Sequence, residues 1–155
     1  MFERTAKGFV VHLDREEVEM IVRLVAELRD LLMADDPRAA HLVRRLFPPA
    51  YLQADDADAE TEYQRLMRED LVASRLTAMD QLTTGLTSGT PMDEGTMHGL
   101  LQSLNAVRLV LGTLLDVSED DDVNQLSDDD PMLGEYYLYN FLSFLLQEAV
   151  EALTT

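Results

Sequence analysis

The spacing of apolar positions changes several times along this chain, and each change marks an element. In residues 2–13, FERTAKGFVVHL, two short apolar stretches flank Lys7-Gly8. Phe9, Val10 and Val11 suit a pleated strand and Gly8 suits the positive φ of a tight turn, so a small N-terminal hairpin is predicted over 1–13. A helical period follows. Val18, Ile21, Val22, Val25, Leu28, Leu31 and Leu32 recur at spacings of mostly three and four, with Arg15, Glu19, Arg23, Glu27 and Asp30 mostly off that stripe. Asp14, with Glu17 three residues on, has the spacing of a capping box. Asp36 as cap and Pro37 in the first turn start a short second helix that is expected to run to Pro48-Pro49.

The third helix is predicted over about 57–86, after the acidic lead-in QADDADAE. Its apolar residues, among them Tyr63, Leu66, Met67, Leu71, Val72, Leu76, Met79, Leu82 and Leu86, do not keep to one stripe, so it either touches two neighbours or bends. Gly85, Ser88 and Gly89 close it. Thr90-Pro91 opens a fourth helix that ends near Leu115, and residues 116–130, DVSEDDDVNQLSDDD, are expected to form a polar, acidic loop with room to flex. The last helix, about 132–153, carries EYYLYNFLSFLLQEAV, which is apolar on nearly all sides and predicts a central helix or one shared with a partner. The expected fold is mainly α: one domain over 1–155, a bundle of about five helices with a small β-hairpin.

One residue disturbs this pattern. On the fourth helix, Met97, Leu100, Leu104, Val107, Leu111, Leu114 and Leu115 fall on one arc at 100° per residue, and Arg108 falls inside it. Beside it runs a stripe of His98, Leu101, Asn105, Arg108 and Gly112. A buried guanidinium stays charged and needs hydrogen bonds and a counter-charge. An internal ion pair is the first expectation, with Asp70 as partner because it interrupts the apolar run of the third helix; Glu69, Glu135 and Glu148 are alternatives. A second expectation is that Arg108 faces a groove and grips a carboxylate or phosphate with its fork. Snorkelling of the guanidinium to the surface is a third.

Charge narrows the function classes. The net charge is −18, and it is uneven: residues 1–50 carry eight Lys+Arg against nine Asp+Glu, residues 51–155 four against 21, and no Lys or Arg follows Arg108. Such a surface repels phosphate backbones and anionic lipid, so neither a nucleic-acid nor a membrane partner is expected. No apolar run approaches the roughly 18–20 residues that span a bilayer. No basic segment precedes an apolar stretch at the N-terminus, so no signal peptide is expected. Cysteine is absent, which excludes disulfides, thiolate chemistry and Cys-ligated zinc and is compatible with a reducing cytoplasm.

The motifs for chemistry are weak. Asp120, Asp122, Asn124, Leu126 and Asp128 fall at the odd positions of a calcium loop. However, Gln125 stands where glycine makes the turn, and Pro131 where a bidentate Glu belongs. The histidines, His12, His41 and His98, lie in separate segments with no metal-ligand spacing. Neither a phosphate-binding glycine loop nor a nucleophile elbow is present. No metal and no cofactor is therefore expected. In RRLFPPAY, Arg45 with Phe47 and Tyr51 has the composition of a binding anchor, although a helix stop with Phe47 in the core accounts for the same residues.

LLQSLNAVRLVLGTLL (100–115), RRLFPPAYLQ (44–53), EYQRLMREDL (62–71) and GFVVHLDREEVEMI (8–21) together resemble an uncharacterised actinobacterial family, the domain-of-unknown-function family number two thousand and seventeen. The resemblance covers essentially the whole chain. Its strongest signatures are Arg45-Leu46-Phe47-Pro48 and Leu104-Asn105 with Arg108-Leu109 and Leu111-Gly112. Leu100 departs from it where Trp is common, and Leu114 where Arg is common. The resemblance implies a cytoplasmic actinobacterial protein, because members are often encoded beside the ClpS adaptor of the Clp protease, and it implies no catalytic activity.

The expected function is a non-enzymatic protein–protein interaction domain that binds another protein or itself through its fourth and last helices. ClpS or Clp components are the partners the resemblance suggests, and a homo-oligomer is the other form of the same expectation. A small-ligand or anion sensor built on Arg108, Asn105 and His98 is the alternative, and an enzyme stands third.

Overall fold

The computed structural model describes residues 1–34, 36–46, 56–115 and 133–154. Among these residues it contains one two-stranded antiparallel sheet and five α-helices, the mainly α architecture expected. Phe47, Pro48, Pro49, Tyr51 and the acidic 116–130 segment lie outside the described residues.

The hairpin pairs β1 (Phe2–Thr5) with β2 (Gly8–Val11) in the register Phe2↔Val11 to Thr5↔Gly8. Gly8 has φ +131°, and a Cβ there would stand 2.6 Å from the carbonyl oxygen of Met92. That approach has a purpose. Phe9 and Met92 exchange both backbone hydrogen bonds, at 2.7 and 2.8 Å, so a residue from the link between the third and fourth helices extends the hairpin.

The first helix, α1 (Arg15–Met33), has the predicted capping box. Asp14 Oδ1 accepts from the Glu17 N–H at 2.8 Å, and Glu17 Oε1 accepts from the Asp14 N–H at 3.0 Å. It buries Ile21, Val25, Leu28 and Leu32, one helical stripe. In α2 (Pro37–Leu42), Asp36 caps through the Arg38 N–H at 2.8 Å. This helix stops earlier than Pro48. The Val43 N–H bonds back to Ala39 and the chain tightens into a single 3-10 turn, Arg44–Leu46.

The third helix, α3 (Ala57–Thr87), buries Ala78, Met79 and Leu82, all in its C-terminal half, and leaves Leu66 and Met67 exposed. An Arg29–Asp80 ion pair ties it to α1. The fourth helix, α4 (Glu94–Leu115), starts later than Thr90 suggests. Met92 is held in the bridge to Phe9, and the cap is Asp93, whose Oδ1 accepts from the Thr96 N–H at 2.7 Å.

The central helix is α4, not the last one. It buries Met97, Leu100, Leu104, Val107, Leu111 and Leu115, and it packs against α1, α3 and α5 (Leu133–Thr154). Leu114, expected on the buried arc, is 48% exposed. The last helix, α5, buries one side only, through Leu142, Leu145, Ala149 and Ala152.

Candidate functional site

Two helices running antiparallel position the predicted site. Tyr136 on α5 donates its hydroxyl to the Leu115 carbonyl at 3.2 Å, and Tyr139 lies against Gly112. Further along the same pair of helices, Arg108 faces Ser143 and Leu101 faces Val150 across a groove of about 550 Å³. Asn105 and Leu146 line it as well.

Arg108 is half-buried at one end of this groove. Its Nη2 donates to Asn105 Oδ1 at 3.0 Å, the i to i+3 contact that the helical stripe allows. Its Nε is buried without a hydrogen-bond partner. Among the described residues no carboxylate lies at ion-pair distance from it. The expected pair with Asp70 is therefore not formed. Helix geometry gives the reason. Gly99 lies against Ala78 of α3, and the nine residues from Gly99 to Arg108 turn the helix by about 900°, which places Arg108 on the opposite side from α3. Asp70 and Glu69 sit exposed on α3, and Glu148 lies 3.9 Å from the N-terminal ammonium. Glu135 makes no ion pair with Arg108 either.

The other predicted residues divide. Asn105 joins Arg108, as the spacing implied. His98 does not. It is exposed and opens onto a separate groove of about 370 Å³ between α3 and α4, beside Ser74, Thr77 and Gln81. Arg45 comes to the Arg108 stripe from the 3-10 turn: a Cβ on Gly112 would stand 3.1 Å from its Nη1 and 3.4 Å from Cε2 of Tyr139. The bare Gly112 thus leaves room for Arg45 and Tyr139. Phe47 and Tyr51, predicted to act with Arg45, lie outside the described residues.

Sequence reasoning missed Arg75. It projects from the same side of α3 as Leu82 and Met79, its Nε is buried and unpartnered, and burial pushes its pKa down. The signal was present in the seven-residue step from Arg75 to Leu82, but the mixed pattern of α3 concealed which side is inner.

Chemically, the α4–α5 groove offers one permanent cation, the amides of Gln102, Asn105 and Gln147, and an apolar strip of Leu101, Leu146 and Val150. Ser143, its hydroxyl, donates to the Tyr139 carbonyl at 3.0 Å. Among the described residues no cluster of His, Asp and Glu has the form of a metal site, and no helix is long and apolar enough to cross a membrane.

On the outer side of α5, Tyr137 is 63% and Phe144 50% exposed, with half-buried Phe141 between them. At i, i+4 and i+7 the three rings form one continuous stripe.

Neither a curated protein nor a solved structure matches the chain significantly. The family described as Domain of unknown function (DUF2017) matches residues 1–153. With that match spanning nearly its whole length, the chain belongs to this family.

Proposed function

We propose that this protein is a non-enzymatic interaction domain that presents the aromatic stripe of α5 to another protein. The observation that carries the reading is the exposure of Tyr137 and Phe144 on one line of a helix that buries Leu142, Leu145, Ala149 and Ala152 on another side. Large rings left in water lose the stabilisation that burial gives, and tyrosine is over-represented among the anchors of protein interfaces. The acidic surface favours a partner with basic groups around the contact and disfavours nucleic acid. The family resemblance makes ClpS, or a Clp protease subunit, the first partner to test in an actinobacterial cytoplasm. A second copy of this chain is the other occupant such a stripe accepts.

Purified ClpS and Clp subunits, titrated into the full chain and followed by light scattering and calorimetry, test this reading. A saturable complex that weakens by about tenfold or more in Phe144→Glu is expected. Phe144 is half exposed, so this variant keeps its fold. A wild-type chain that stays monomeric and binds none of these proteins, or a variant that binds as well as the wild type, removes the proposal.

A further inference from the structure

We infer that the groove between α4 and α5 binds a small monocarboxylate with an apolar body, its carboxylate held by Arg108. The inference stands apart from the aromatic stripe. Leu146, in the groove, lies about 200° round the helix from Phe144.

The first reason is the state of the guanidinium. Arg108 is the only Lys or Arg after Arg75 in a chain with 30 acidic residues, yet none of the described carboxylates pairs with it. Its one side-chain hydrogen bond goes to the neutral Asn105, and its Nε has none. A carboxylate in the groove meets the terminal nitrogens of the guanidinium, a charge-assisted contact that the neutral Asn105 does not supply. Asn105 accepts through Oδ1, which leaves its amide N–H groups to donate to the same anion.

The second reason is the shape and lining of the groove. The groove is shallow and open, and its volume of about 550 Å³ has room for a small molecule lying along it. Arg108, Asn105 and Ser143 form one end; Leu101, Leu146 and Val150 give an apolar strip towards the other, where Gln102 and Gln147 also line the groove. Seven residues of α4 separate Arg108 from Leu101, about 10 Å along the helix axis. A carboxylate with an apolar tail of roughly that length spans it.

The third reason is charge. One guanidinium balances one negative charge. Glu148 and Glu151 lie on α5 next to the groove residues Gln147 and Val150, and the rest of the chain is strongly negative. A phosphate dianion would therefore meet more repulsion than a monocarboxylate does.

The experiment is a titration of the full-length, isotope-labelled chain with octanoate, followed residue by residue in amide spectra, with 1-octanol and octylamine as controls. Saturable shifts confined to about 101–112 and 139–150 are expected with octanoate and not with the controls. Arg108→Met should weaken binding by about tenfold or more. Val150→Glu, at a position 46% exposed, keeps the fold and should do the same from the apolar strip, so the inference stays testable if the first variant does not fold. Phe144→Glu should leave octanoate binding unchanged. Shifts that spread over the whole apolar surface, or that persist in either groove variant, overturn the inference. So does binding of a peptide with a free C-terminal carboxylate when octanoate does not bind, because the carboxylate would then come from a protein chain.

Discussion

Arg108 carries a full charge into a half-buried place and finds one amide oxygen there. Removing one partner of a buried ion pair costs about 3–5 kcal/mol, whereas replacing an unpaired guanidinium by an unbranched apolar side chain leaves no orphaned charge behind. Arg108→Met is therefore expected to keep stability within about 1 kcal/mol of the wild type, or to raise it, in urea unfolding. A loss of about 3 kcal/mol or more would reveal a counter-charge that the structure does not show. Gly8 makes the opposite case. Its φ of +131° and the Met92 oxygen where a Cβ would go leave no room for a side chain. Gly8→Ala should cost about 2 kcal/mol or more, seen as a lower urea midpoint. The two residues also show what a sequence discloses. Period alone put Arg108 and Asn105 on one line of α4. It did not say which helix faces that line, so Asp70 was the wrong partner and His98 the wrong neighbour.

At the level of elements, local signals were readable and distant ones were not. The capping box of α1 and the Asp36 cap of α2 involve residues two or three apart, and both formed as the spacing implied. The start of α4 was misplaced because Thr90-Pro91 looks like a cap and first turn, while Phe9, far off in sequence, claims Met92 for the sheet. The apolarity of α5 was legible, but which part of it would be covered was not. Asp93 permits a test of the revised start. The Thr96 N–H holds the Asp93 carboxylate below its ordinary value of 3.8. A depressed carboxylate stabilises the folded state fully above its unfolded value and loses that contribution as pH falls through the folded one. Thermal unfolding of Asp93→Ala should thus show a lower midpoint than the wild type at neutral pH. The gap should narrow as pH drops below about 4. A gap of constant size across that range would mean that the carboxylate charge has no part in the cap.

Over the whole molecule, a charge of −18 on 155 residues sets a background against which every local contact acts. Self-repulsion of this size weakens the compact state, and added salt screens it over roughly 8–10 Å at 0.1–0.15 M. The midpoint of thermal unfolding should rise between about 10 and about 200 mM sodium chloride. A flat or falling midpoint would mean that exposed ion pairs such as Arg15–Glu19 outweigh the repulsion. Composition made this property visible without a structure. The placing of α4 at the centre was not visible, because α4 and α5 are comparably apolar in sequence and only the packing separates them.

The bridge from Phe9 to Met92 bears on the order in which the chain can be made. During synthesis β2 emerges early, and its pairing residue follows 83 positions later. At about 5–20 residues per second, the growing chain holds an open, apolar strand edge for about 4–17 s before Met92 exists. An edge left open in that interval can pair with another nascent chain. Birth on the ribosome is thus a vulnerable period for this protein, and the arrival of the single bridging residue Met92 ends it.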